Sequence, residues 1–368
     1  MKNGSAVAAF ERAFADYVGA RYAIALCNGT ATLHTALVAL GVKPGDRVAV
    51  PPLTMSATTI AVLHAGAVPH FVDVDPETWL MASREGVPAP TWMPVSLYGL
   101  HAGFPGRGIV VDAAQTLQPY RLPSGLAPSF VSYSFQASKI LALGEGGILV
   151  TDDEELATRA REFSSLGYRM RADQPRIDPA VLKAPDYTRH HALGWNYRMN
   201  DLTAAEGLRR LCWPASASPR PLTNSSSRPV DRALEVRRKA AVLYAAALLE
   251  CPWLVAQLVP AGWMHDFWAF AVACDTPARA QWLQEAVVRH GGERPYGAWR
   301  LTYHEPAFRD AWWLAKHVNN WDAEGNPKGL CPVAESLQPR ILQFQTNDLE
   351  AARRNAGALQ AAIVEGSR

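Results

Sequence analysis

The stretch SYSFQASKILALGEGG, Ser132 to Gly147, decides how this chain is read. An apolar run ends at Ser134, a lone lysine follows at Lys139, and a glycine-rich turn leads into the next apolar run. Polar side chains delivered at the end of an apolar strand are typical of open α/β sheets, where ligands collect outside the strands' carboxyl ends. Lys139 itself has two readings. A lysine leaving an apolar strand is usually a surface residue whose stem snorkels. Held out of water with a lowered pKa, it is instead the amine that condenses with an aldehyde. Ser134 offers a hydroxyl to a phosphate.

Outward from this segment, short β-branched runs alternate with helical stretches. Strands are expected at Tyr22–Leu26, Arg47–Val50, Pro69–Asp73, Trp92–Val95, Gly108–Asp112, Ser129–Ser134 and Gly147–Thr151. Leu33, Leu37 and Leu40 recur at helical spacing, which predicts a helix over Thr30–Leu40 stopped by Gly41. Thr151 and Glu154 have the spacing of a capping box for a further helix. This alternation implies a mostly parallel sheet covered on both faces. From Tyr168 to about His191 a long polar loop is expected. The Pro/Ser-rich stretch 213–229 reads as an insertion or connection, and Ala233–Leu249 as a helix leading into a second domain.

Three more segments carry candidate chemistry. CNGTATLHTAL, Cys27 to Leu37, passes from strand through glycine into helix, presenting free N–H groups and a positive dipole end to a phosphate. Alone, such a turn is often mere topology. GIVVDAAQ places Asp112 at a strand's carboxyl end, either pairing with a cationic nitrogen or capping the next turn, with Gln115 beside it. LGWNYRMND, Leu193 to Asp201, supplies Asn196 and Arg198, side chains suited to phosphate or carboxylate.

Composition narrows the classes. The 368 residues are 49% hydrophobic and 19% charged with 12 tryptophans, which excludes disorder. Thirty-six basic against 34 acidic residues leave a net charge of +2, with no run of one sign to bind nucleic acid or a membrane surface. No membrane-spanning run or signal segment is seen, so a soluble cytoplasmic protein is expected. Five scattered cysteines (Cys27, Cys212, Cys251, Cys274, Cys331) form no disulfide or zinc pattern. His34, His64, His265 and His304 lack metal-ligand spacing and read as structural, so no metal is expected.

Together these motifs resemble the DegT/StrS-type nucleotide-sugar aminotransferases, a branch of the fold-type I pyridoxal phosphate enzymes. The resemblance covers most of residues 5 to 210 and returns in CPVAESL, Cys331 to Leu337. It implies a seven-stranded, mostly parallel sheet with helices on both faces in a cofactor domain over 1–230, and a smaller α/β domain over 231–368. The implied cofactor is pyridoxal 5'-phosphate, bound as an aldimine to Lys139. Asp112 would keep the pyridine nitrogen protonated, Gln115 would lie by the ring hydroxyl, and Gly29, Thr30 and Ser134 would hold the phosphate. Asn196 would reach that phosphate from the other subunit of a homodimer, and Arg198 would meet the amino donor's carboxylate. The implied reaction is ping-pong transfer of an amino group from glutamate or glutamine to a nucleotide-linked keto-sugar.

Some residues depart from the family's pattern. In PPLTMSATT, Met55 stands where an aromatic ring usually stacks on the cofactor; a thioether still packs on a ring face. The N-terminus looks short ahead of Phe10 and Phe14. In GGERPYGAWRLTYHEPAF, Gly291 to Phe308, rings either fill the core or stack on a sugar or base, with Tyr303 and His304 the substrate candidates. Arg294 or Arg300 could meet a phosphate. Two alternatives remain: a sugar dehydratase of the same fold, whose members carry His in place of the lysine, and a non-catalytic cofactor-binding sensor.

Overall fold

The computed structural model describes residues 6–82, 89–122, 124–173, 180, 183–211, 228–248, 251–309 and 329–367. Its larger sheet contains β1 (Tyr22–Leu26), β2 (Arg47–Val50), β3 (Val68–Phe71), β4 (Thr91–Trp92), β5 (Gly106–Asp112), β6 (Pro128–Ser134) and β7 (Gly147–Thr151). The spatial order is β1-β7-β6-β5-β4-β2-β3. The β6, β5, β4, β2 and β3 pairings are parallel, while β7 runs antiparallel to both β6 and β1. These strands are nearly continuous apolar runs because both sheet faces are covered. Helices α1 (Ala6–Val18), α2 (Gly29–Ala39), α3 (Ala57–His64) and α4 (Glu154–Ser164) bury Phe10, Phe14, Leu33, Leu37, Val62 and Ala160 in that core.

Several expected boundaries move, each for a local reason. The strand expected over Pro69–Asp73 stops at Phe71, and the Asp73 carboxylate instead accepts from Val333 and Ala334 N–H at the start of the helix Pro332–Leu337. The strand expected over Trp92–Val95 shrinks to β4, since Pro94 has no N–H for the ladder. Asn28 caps α2 by accepting from the Ala31 N–H at 2.8 Å, so the helix opens at Gly29. For α4 the expected capping box is replaced. Asp153 is the cap, accepting from the Glu155 and Leu156 N–H groups, while the Thr151 hydroxyl accepts from the Asp153 N–H.

A second sheet, ordered β10-β11-β9-β8, is antiparallel throughout: β8 (Leu254–Ala256), β9 (Ala269–Cys274), β10 (Tyr296–Gly297) and β11 (Ile341–Gln345). The helices Pro229–Ala247, Pro277–Arg289 and Leu349–Gly366 bury Tyr244, Leu283 and Leu359 with Phe270 and Phe344 in a second core. The first of these helices starts four residues before its expected Ala233, with Pro229 in the first turn, where a missing N–H costs nothing. Leu301, Tyr303, Cys331 and Leu337 return to the first core. Cys212, most of the Pro/Ser-rich stretch 213–229 and parts of the 168–191 loop lie outside the described residues. Among the described residues, no helix is long and apolar enough to cross a membrane.

Candidate active site

The cleft opens where the carboxyl ends of β1, β5 and β6 meet the second sheet, enclosing about 920 Å3. Asn28, Gly29 and Thr30 line it at the amino end of α2, directly after β1. A Cβ at Gly29 would stand 2.8 Å from the Ser134 Cβ, so only glycine lets this turn close against the end of β6. The result is a small polar cradle of backbone N–H groups and the Ser134 hydroxyl, at the positive end of a helix dipole.

Asp112, at the end of β5, is 4% exposed. Its Oδ2 accepts from the Thr58 hydroxyl at 2.8 Å and its Oδ1 from the Ala114 N–H at 3.1 Å. Burial pushes its carboxyl above the usual range, against the pull of those two donors and of the Lys139 charge. Lys139 lies on the turn after β6, its N–H donating to the Gln136 carbonyl. Burial lowers its amine, and the Asp112 charge partly restores it. Two oppositely charged groups, both taken from water, therefore face one cavity. Such pairs are where pKa shifts gather in functional sites.

Met55 and Gln115 also line the cleft. Met55 is 49% exposed, and its sulfur accepts from the Ala57 N–H, leaving a thioether at the cavity wall where a ring was the family expectation. Gln115 is buried, and its Oε1 accepts from the Tyr98 N–H at 2.5 Å. The structure thus brings Gly29, Thr30, Met55, Asp112, Gln115, Ser134 and Lys139 together.

Four expected residues lie elsewhere. Tyr303 is fully buried, its hydroxyl donating to Glu335 Oε1 at 3.0 Å, so it is core and not cleft wall. His304 packs edge-on against that ring. Asn196 and Arg198 are exposed. Asn196 bridges to Ser165 and Arg198 to Leu26, and Arg198 lines a separate pocket with Glu11 and Arg161. Sequence reading also missed residues. Thr58 stood within the PPLTMSATT phrase, a signal sufficient to find it. Arg237, Trp268 and Trp299 line the cleft from the second sheet's side, too distant in sequence from Lys139 to be linked to it.

A sheet of this order, with a glycine–helix turn, a buried aspartate and a lysine at its strand ends, has the fold of the fold-type I pyridoxal phosphate transferases. It superposes on 3-amino-5-hydroxybenzoic acid synthase with a TM-score of 0.77, at 24% identity over 98% of this chain and 91% of that one. The S. venezuelae DesV structure with a ketimine intermediate gives 0.76 at 24% identity, over 97% and 89%. The chain belongs to the DegT/DnrJ/EryC1/StrS aminotransferase family, whose model matches residues 1–102 and 108–347. GDP-perosamine synthase of Caulobacter vibrioides is 38% identical over 224 residues, 56% of this chain and 57% of that relative. UDP-2-acetamido-2-deoxy-3-oxo-D-glucuronate aminotransferase of Pseudomonas aeruginosa is 37% identical over 191 residues, 47% and 53%. The chain thus spans little more than half the length of these curated relatives.

Proposed function

We propose that this protein is a pyridoxal phosphate-dependent aminotransferase that moves an amino group from glutamate or glutamine to a nucleotide-linked keto-sugar. The observation that carries the proposal is the pair Asp112 and Lys139, both drawn out of water at neighbouring strand ends and facing one cavity. The residues fit the cofactor. The Gly29 cradle and Ser134 suit its phosphate, and the buried carboxylate of Asp112 lacks a cation that a protonated ring nitrogen would supply. When bound, pyridoxal phosphate supplies an aldehyde and a cationic ring that draws electrons from the bond being broken.

The chain's own residues do the rest. Asp112 holds a proton at the ring nitrogen, and Thr58 keeps its carboxylate aimed. Lys139 Nζ would take a proton from the donor's α-carbon and pass one to the cofactor's aldehyde carbon, and would move a proton the opposite way, onto the acceptor carbon, in the second half of the cycle. Gln115, oriented by the Tyr98 backbone, would lie by the ring hydroxyl. Met55 packs against the ring with its thioether. Asn196 and Arg198, exposed on their own chain, serve the cleft of a second copy, so the complete site belongs to a homodimer. On this reading the chain divides near residue 230 into a cofactor domain and a smaller one, with Leu301, Tyr303 and Cys331 reaching back from the second part into the first core.

The test is spectroscopic. Purified protein mixed with pyridoxal phosphate should turn yellow, and glutamate or glutamine should bleach the band. A yellow protein indifferent to both donors overturns the aminotransferase reading. Retention of the cofactor by Lys139→Ala after borohydride treatment would remove Lys139 from its role. Mixing Lys139→Ala with Asn196→Ala chains should restore activity through hybrid sites, and no restoration defeats the shared-site reading.

A further inference from the structure

Lys139 has one neighbour that the reaction scheme leaves unused. Its Nζ stands 5.0 Å from the centroid of the Trp268 ring. The same indole donates its Nε1–H to the Ser138 carbonyl at 2.9 Å, across 130 residues of sequence. Trp268 immediately precedes β9 in the second sheet, while Ser138 and Lys139 lie on the turn after β6 in the first. One side chain therefore touches both the lysine amine and the backbone that carries it.

The ring is braced from behind. Trp299 stacks on Trp268 at 5.9 Å with 27° between planes, and Tyr98 stacks on Trp299 at 6.4 Å and 21°. Trp79 meets Tyr98 edge-on at 6.3 Å. Tyr98 is fixed in turn, its N–H held by Gln115 Oε1 and its φ at +59° in a region that non-glycine residues seldom occupy. The column so begins at one cleft residue, Gln115, and ends at another, Lys139.

We propose that Trp268 is a positioning residue for Lys139, its ring face holding the lysine ammonium inside the cleft and its indole N–H pinning the turn beneath it. The inference rests on the aminotransferase reading only for its purpose: a lysine that takes up a proton during turnover must stay over the reacting carbon. An aromatic face attracts an ammonium most strongly where water is excluded, and tryptophan is the best such face. The other ionisable groups lining this cleft are Asp112 on β5, Glu145 on the glycine-rich turn, Arg237 on the helix Pro229–Ala247 and Tyr296 on β10. Of these, the Asp112 charge favours the lysine's charged form, against the burial that lowers it.

The test reads the lysine directly, without cofactor or turnover. The full chain, with no pyridoxal phosphate added, is acylated with trace acetic anhydride across a range of pH, and modification of Lys139 is followed by mass spectrometry. Wild type, Trp268→Phe and Trp268→Leu are compared. The apparent pKa of Lys139 should fall by about half a unit to one unit in the leucine variant, with the phenylalanine variant between. Should the leucine variant fail to fold, the phenylalanine variant alone must still titrate below wild type. An unchanged or raised pKa in the variants overturns the proposal, because burial and not the ring face would then govern the amine. Glutamate bleaching of the wild-type protein is measured separately, so loss of one reading leaves the other standing.

Discussion

Two pairs of opposite charge, one buried within the first core and one lining the cleft, are built differently. Glu11 on α1 and Arg161 on α4 are each 4% exposed. Both Arg161 Nη atoms donate to the Glu11 carboxylate at 2.9 Å, and the guanidinium also donates to the Ala23 and Ala172 carbonyls. Glu11 Oε1 further accepts from the Ala25 N–H. Every polar atom of that pair is spent. Asp112 and Lys139, by contrast, interact at a distance with no direct ion pair between them among the described residues, and each is shifted toward its neutral form by burial. A satisfied buried pair is a frame. A pair held apart across a cavity keeps its capacity for something that binds between its members.

The sharpest way to break this contrast is at the separated pair. Lys139→Ala should lower kcat/KM for transamination about 10³-fold or more, while the urea midpoint stays level or rises, since a partly desolvated charge without a direct ion pair has been removed. Initial rates and urea unfolding on one preparation decide it. Asp112→Asn keeps the shape and removes the charge. Its expected loss in kcat is about 10²- to 10³-fold, again without loss of fold. A stability loss matching that at the frame would erase the distinction.

At the satisfied pair the pattern should invert. Arg161→Met strands the Glu11 carboxylate and should destabilise the protein by about 3–5 kcal/mol, with kcat per folded molecule unchanged. Replacing both, as Glu11→Leu with Arg161→Met, should recover most of that loss, because no unpaired charge remains. Urea unfolding of the three variants measures the coupling directly.

A smaller effect comes from His34, whose imidazole burial lowers to about 4, with help from His64. The unfolded imidazole takes its proton at an ordinary value near 6.5. Between those values the unfolded chain binds a proton that the folded chain refuses. Stability is therefore complete above about pH 6.5 and declines as the pH drops toward 4. The decline should be shallower in His34→Gln, as measured by urea midpoints at several pH values. An equal slope in the variant assigns the acid sensitivity to other groups, His265 first among them, since burial lowers it to about 3.

The fold was most legible where local signals were unopposed. The runs at Tyr22–Leu26, Arg47–Val50 and Gly147–Thr151 are short, apolar and bounded by breakers, and all three are strands with those ends. The meeting of Gly29, Asp112, Ser134 and Lys139 around one cavity was equally legible, because each lies at or just after the carboxyl end of β1, β5 or β6. What escaped notice depends on tertiary contact. Trp268 meets Lys139 only because β9 docks against the first sheet, and nothing in either segment's pattern announces that meeting. Tyr303 misled for the opposite reason: a motif rich in rings looks like a binding surface until the hydroxyl finds Glu335 and the ring finds Phe71.

The smallest effect concerns the start of α4, where sequence spacing and structure give different caps. Thr151 is three residues before Glu154, so a capping box would have the threonine hydroxyl take a helix N–H and Glu154 answer. In the structure Asp153 holds that position, and one carboxylate oxygen takes both the Glu155 and Leu156 N–H groups. A carboxylate outcompetes the hydroxyl because it also faces the positive end of the helix dipole. Asp153→Ala should therefore cost about 1 kcal/mol. Asp153→Ser should recover much of that loss, and Glu154→Ala should cost little. If Glu154→Ala were the costlier change, the box read from the sequence would be the true cap.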